Sequence, residues 1–313
     1  MLHSQTAHSP ILVTGAHRTG TTWVGKMLAA GGEAGYISEP LNVLHRPGVL
    51  QLSIQHWYTY ICAENEAGYL PGLYQLLRYR YHIGAEIRSL RSRKDLLRMG
   101  RDGSIFLRGR LQKQRPLLKD PFAVFSAPWF SDRLGCRVVI TLRHPAAFAS
   151  SLKRLAWSFD FNHLLDQPLL MRDWLEPYRG AMEAIRKTPD DVIGQSSLLW
   201  HLIYQVVSQL QEKYPHFQVV RHEDLSLDPL EGFRHLYDAL ELEFSPRAQR
   251  MIQQSSSSDN PKEASKESIY AVRLDSRANL NNWKRRLSPQ EIARTRSLTE
   301  ELAAHYYPEQ TWE

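Results

Sequence analysis

The run Ile11-Leu12-Val13-Thr14 leads directly into Gly15-Ala16-His17-Arg18-Thr19-Gly20-Thr21-Thr22-Trp23. An apolar strand feeding a glycine-bounded loop and then a helix is a phosphate cradle, because backbone N–H groups and the helix N-terminus point at an anion placed there. Gly15 and Gly20 have the spacing of G-x-x-x-x-G-K-[ST], but Thr21 stands where that pattern has lysine. A nucleoside-triphosphate hydrolase needs the lysine on its β- and γ-phosphates, so the loop keeps anion binding while ATP or GTP chemistry is disfavoured. Arg18 is the cation inside the loop.

A second constellation follows the apolar run Val138 to Leu142: Arg143-His144-Pro145-Ala146-Ala147-Phe148-Ala149-Ser150-Ser151. A Walker-type enzyme would carry a metal-holding acid after such a strand; this chain carries Arg143. A guanidinium fork suits a phosphate dianion, and Ser151 lies about two helical turns further on, on nearly the same face. Taken together they read as a grip on a second phosphate. Taken singly, they read as a surface ion pair and a small polar helix residue.

The two sites resemble those of the sulfotransferases. His17 to Trp23 resembles the family's 5′-phosphosulfate loop, and Arg143-His144-Pro145 through Ser151 resembles its 3′-phosphate motif. The resemblance continues through Leu118-Lys119-Asp120-Pro121, Val220-Arg221-His222-Glu223-Asp224-Leu225 and Asp228-Pro229, and ends near Asn282-Trp283. It implies a P-loop-like α/β fold, 3′-phosphoadenosine-5′-phosphosulfate (PAPS) as sulfuryl donor, and no metal.

The resemblance also implies roles. Arg18 stabilises charge on the leaving bridging oxygen, electrostatically rather than as an acid, since arginine stays protonated. Thr19, Gly20, Thr21 and Thr22 supply donors to the 5′-phosphate, and Trp23 takes a position that packs on adenine in relatives, with ordinary core packing as the competing reading. His222 stands where many relatives have a tyrosine near adenine. Arg277, in Ser276-Arg277-Ala278, is the one cation kept from a loop that closes on the 3′-phosphate.

An acceptor hydroxyl needs a base. Glu39, in Ser38-Glu39-Pro40-Leu41-Asn42, resembles the glutamate-proline-leucine segment of carbohydrate sulfotransferases, where the glutamate takes that role; His17 and His144 are its rivals. Lys119 is a second cation for the sulfonate or acceptor side, unless it is bound to Asp120 or another acid.

The elements that must position these groups are short apolar runs alternating with helical patterns, which predicts an α/β fold with a central parallel sheet covered by helices on both faces. Strands are expected at Ile11–Thr14, Arg137–Leu142 and Phe217–Val220. Helices are expected at Thr21–Ala30, Pro145–Lys153, Leu169–Arg186, Ser196–Tyr214 and Pro229–Leu240, the last capped by Asp228. With 313 residues and 42% hydrophobic content the chain can bury a full core. We expect a single domain over 1–313, with a largely helical insertion around 45–115 and a mobile loop around 254–275 that includes the serine run Ser255 to Ser258.

Cys62 and Cys136 make no disulfide framework, and none of the thirteen histidines sits in a zinc-ligand pattern. The first ten residues have no apolar core and no stretch reaches the ~20 apolar residues of a membrane span, so a soluble, cytoplasmic protein is expected. The net charge of +6 favours anionic partners. Thirteen Lys/Arg against three Asp/Glu fall between Arg78 and Lys119. That stretch either faces an anionic acceptor, such as a glycan or glycolipid, or is a solvated helix face. Trp57, Tyr58 and Tyr60, with Trp157, Phe159 and Phe161, either stack on an acceptor or form core. Nucleic acid is not expected as a partner, and the oligomeric state is left open. The competing functions are a P-loop kinase or NTPase and a non-catalytic polyanion-binding protein that has kept the cradle.

Overall fold

In the computed structural model the described residues are 9–44, 46–263 and 272–312. Five parallel strands form one sheet in the order β2-β3-β1-β4-β5, with β1 at Ile11–Gly15, β2 at Ala34–Ser38, β3 at Arg115–Lys119, β4 at Arg137–Leu142 and β5 at Gln218–Arg221. The register sets Ile11 beside both Leu117 and Arg137, and Ser38 beside Lys119. Side chains alternate across the sheet, so Leu12, Leu118, Val138 and Ile140 enter one core while Ile11, Val13, Leu117 and Val139 enter another on the opposite face. Both faces are buried, which is why β1 and β4 read as unbroken apolar runs. The α/β, P-loop-like arrangement expected from the sequence is the one found.

Helices α1 (Thr21–Leu28), α2 (Leu70–Leu77), α3 (Ile83–Ser89), α4 (Arg93–Leu111), α5 (Ala127–Leu134) and α6 (Pro145–Leu155) follow in chain order. The second to fourth of them lie between β2 and β3. Asp228 caps Pro229–Ala239 by accepting from the Glu231 N–H, and Asp191 caps the long helix Val192–Lys213 through Gly194.

Three expectations need correction. Leu169–Arg186 is not one helix: a π-helical stretch, Met171–Leu175, and a 3₁₀ turn, Glu176–Tyr178, interrupt it where Pro177 cannot donate. Strands β2 and β3 had no counterpart in the sequence reading, since Pro116 argues against a central strand; it is tolerated because pairing with β1 begins one residue later, at Leu117. The expected mobile loop around 254–275 falls partly on 264–271, outside the described residues, while residues 254–256 finish the helix Pro246–Ser256 and Ser276 opens the helix Ser276–Leu280.

The first crossover depends on Gly15. Its φ is +140°, and a Cβ there would lie 2.4 Å from the Thr141 carbonyl oxygen in the neighbouring strand, which has no room to yield. Gly135 also has a positive φ, +66°, but a Cβ there meets open space. We therefore expect Gly15→Ala to lower unfolding free energy by at least ~2 kcal/mol, and Gly135→Ala by only ~1 kcal/mol, in urea titrations with unchanged slope.

Candidate functional site

The sheet changes direction of growth at β1, with β3 on one side and β4 on the other, and that reversal leaves a crevice beyond the carboxyl ends of the strands. A cavity of about 520 Å³ lies there. Its wall takes residues from the ends of four elements: Arg18 and Gly20 to Trp23 after β1, Glu39 after β2, Arg143 after β4 and His222 after β5.

On the cradle side, Arg18 and Gly20 have φ of +67° and +95°, the left-handed geometry that turns successive N–H groups toward one point. A Cβ on Gly20 would sit 2.7 Å from His222 Nδ1, so glycine is needed for contact as well as for conformation. Thr21 and Thr22 line the cavity. Thr19 does not: its hydroxyl donates to the Ala16 carbonyl and meets Thr141 Oγ1 at 2.7 Å, so it braces the loop from behind.

Arg18 Nε donates to Ser151 Oγ at 3.2 Å and the guanidinium lies over the Trp157 ring, 5.8 Å from its centre. Arg143 Nη1 donates to the Arg18 carbonyl at 3.1 Å, which brings the second arginine against the first loop. Arg143 Nε and His222 Nδ1 are buried without hydrogen-bond partners among the described residues. Burial, with Arg143 nearby, pushes the His222 pKa down to about 3, so its ring is neutral. Trp23 donates from Nε1 to Ser255 Oγ at 2.8 Å and meets His222 and Phe233 edge-on. It serves as both cavity wall and core.

Arg277 is not brought to this cavity. It is exposed and donates from Nε and Nη2 to the Leu227 carbonyl; Ser276 and Asn279 line the cavity from that helix instead. The rival His144 is also elsewhere. It accepts from the Ala146 N–H as the cap of α6 and lies among Trp283, Tyr307 and Trp312.

On the opposite side, Lys119 is 1% exposed and its Nζ pairs with Glu39 Oε1. It is held by an acid other than Asp120 and does not line the cavity, though Glu39 does. Asn42 Nδ2 donates to Glu39 Oε2 at 2.7 Å. Burial pushes the Glu39 pKa up, but the Lys119 charge and hydrogen bond, the Asn42 amide and Arg46 outweigh it, so the carboxylate is held below its ordinary value. Asp120 accepts from the N–H groups of Leu41 and Phe122 and fixes the loop behind Glu39; burial raises its own pKa to about 7.

His17 faces the same space. Its Nδ1 is 2.7 Å from the Tyr58 hydroxyl, and burial next to Arg18 lowers its pKa to about 4. The aromatic groups divide: Trp57, Trp157 and Phe159 line the cavity, whereas Tyr58, Tyr60 and Phe161 are core. Asn42 and Tyr58 are contributors that sequence reasoning missed in these roles. Asn42 follows Glu39 by three residues, a spacing that could have been read as a turn contact, while the approach of Tyr58 to His17 has no local signal.

A model of the sulfotransferase family matches residues 10–246. No curated protein matches in sequence. Among solved structures, the sulfotransferase domain from the curacin biosynthetic pathway is 16% identical, covering 96% of this chain and 99% of that one at a TM-score of 0.45. The sulfotransferase domain from the Synechococcus PCC 7002 olefin synthase is 15% identical, with 96% of each chain covered and a TM-score of 0.43. Sulfotransferase STF9 from Mycobacterium avium is 11% identical, covering 96% of this chain and 77% of that one at 0.45. With its family model spanning the cradle, the Glu39 loop, the Arg143 motif and His222, this chain belongs to the sulfotransferase family.

Proposed function

We propose that the chain moves a sulfuryl group from PAPS to an acceptor hydroxyl. The observation that carries this reading is the approach of Arg143 to the cradle: Nη1 holds the Arg18 carbonyl while Nε is left buried and unpartnered beside the loop. A donor with a 5′-phosphosulfate and a 3′-phosphate needs two anion grips close together, and a buried guanidinium edge is a strong site for the second. The unpartnered His222 Nδ1 and the neighbouring serines suit a neutral, hydrogen-bonding base such as adenine.

In the transfer, the acceptor oxygen forms a bond to sulfur as the bond from sulfur to the phosphate oxygen breaks. The hydroxyl proton passes to a protein base, and 3′-phosphoadenosine-5′-phosphate (PAP) leaves. Arg18 and the cradle donors stabilise charge on the departing oxygen. Glu39 is the proposed base, because it is an ionised carboxylate on the cavity wall. The proposed acceptor is a sugar hydroxyl of a carbohydrate or glycoconjugate, with Trp57, Trp157 and Phe159 offering ring faces to it. The basic stretch from Arg78 to Lys119 contributes nothing to the cavity lining, so these cations do not support an anionic group on the acceptor.

PAP should raise the thermal midpoint far more than ADP or AMP, without Mg²⁺; equal shifts from all three would refute the donor assignment. Arg143→Ala should weaken PAP binding at least ~10-fold in calorimetry, the loss of one charge-assisted hydrogen bond of about 1.5–3 kcal/mol. Glu39→Gln should cut turnover ~10²-fold or more with PAP affinity nearly kept, whereas His17→Asn should retain most activity. The opposite pattern would transfer the base role to His17. Because Glu39 is held low and His17 lies near 4, both are deprotonated through neutral pH. Neither candidate base should therefore cause a loss of kcat/KM at the ordinary histidine value of 6.5; a decline near 7 would report Asp120, whose pKa lies about there and whose carboxylate holds the loop behind Glu39.

A further inference from the structure

The stretch between Arg78 and Lys113 forms a surface of its own. Ten of its Lys/Arg are exposed. Its three acids are not: Glu86 and Asp102 are buried and Asp95 is half-buried. Each is engaged by an arginine, Glu86 and Asp95 by Arg98 and Asp102 by Arg46 and Arg101. The surface therefore presents positive charge without exposed negative charge.

The same surface is apolar in an unexpected direction. Helix α4 turns Asp102, Phe106 and Gly109 to the protein and leaves Leu97 and Leu111, 75% and 73% exposed, on its outer side. At 100° per residue these two leucines lie about 40° apart around the helix, with Leu107 about 40° beyond Leu111. Arg93 and Arg108 share that outer side, and Ile83 and Ile87 of α3 are more than half exposed. No residue between 78 and 113 lines either described cavity, so this face is separate from both.

We propose that the α3–α4 face docks on an anionic lipid bilayer. Charge complementarity selects the occupant. Arginines and lysines pair with lipid phosphates while the outward leucines enter the boundary between headgroups and acyl chains, and the two contributions act together. A second copy of the chain is disfavoured, since two such faces would repel. Helix α4, with 19 residues, is about 29 Å long, enough to lie along the surface without crossing it. Among the described residues no helix is long and apolar enough to cross a membrane. The protein-facing side of α4 is tied to the segment after Glu39: Leu44 lines the cavity, and Arg46, two residues on, pairs with Asp102 at 3.0 Å.

The test is co-sedimentation of the full chain with vesicles of phosphatidylcholine alone, and with ~30% phosphatidylglycerol added, at low and physiological salt. The expected result is binding only to the anionic vesicles. It should weaken with salt and fall at least ~10-fold in Leu97→Glu/Leu107→Glu/Leu111→Glu and, separately, in Arg93→Glu/Arg108→Glu. Thermal midpoints and PAP-induced shifts like those of the parent protein would show that the variants fold, and this readout does not depend on transfer activity. Absence of binding to anionic vesicles, equal binding to neutral ones, or full binding by folded variants of either kind overturns the proposal. Retention on immobilised poly(aspartate) without vesicle binding would assign the face to an acidic protein and overturn it equally.

Discussion

The side of the cavity that Glu39 lines depends on one buried ion pair. The parallel register of β2 and β3 sets Ser38 beside Lys119, and the Glu39 N–H then donates to the Lys119 carbonyl at 2.7 Å, extending the ladder one residue past the strand. Their side chains meet as well. Removing one member of such a buried pair costs about 3–5 kcal/mol, because the other charge is left without a partner. Glu39 also has a φ of +49°, a left-handed geometry costing about 1–2 kcal/mol in a residue with a Cβ. The ion pair, the Asn42 amide and the two N–H groups held by Asp120 keep the loop there regardless.

Pairing makes Glu39 a weak base, because Lys119 stabilises the form that has lost its proton. Under the proposed chemistry Glu39 would trade its pairing with Lys119 for the acceptor's proton. His17 lacks such a partner: its Nδ1 is engaged by the neutral hydroxyl of Tyr58, and its neighbour Arg18 opposes protonation.

Much of this arrangement was legible in the sequence because it is encoded locally. The cradle needs glycine at fixed places, β1 and β4 are continuous apolar runs, and Asp228 precedes its helix by one residue. Strands β2 and β3 escaped because Ala34-Gly35-Tyr36-Ile37-Ser38 and Arg115-Pro116-Leu117-Leu118-Lys119 have little β-propensity; they are strands because neighbouring strands supply their hydrogen bonds. The Lys119–Glu39 pair joins residues 80 apart and exists only once those strands are in register. The position of Arg277 was not legible for a related reason. Sequence pattern locates the cation in its loop, but the Leu227 carbonyl, 50 residues away, decides where its guanidinium goes.

Charge is separated in space along this chain. Inside the cavity the guanidinium groups of Arg18 and Arg143 stand by the cradle, and the rest of the wall combines aromatic rings with a carboxylate whose charge is already compensated. Adding free cations there would favour binding anions over releasing a sulfated product, since the product carries a new negative charge. The surplus positive charge lies outside, on α3 and α4, where solvent screens it from the chemistry over about 10 Å. An anionic surface at that face would draw the enzyme close without competing for the cradle, because the arginines that would hold lipid phosphates are different groups from those proposed to hold the nucleotide. On the proposed docking, attraction and catalysis would vary independently, and the exposed leucines of α4 would set how long the chain stays at the surface without altering what the cavity binds.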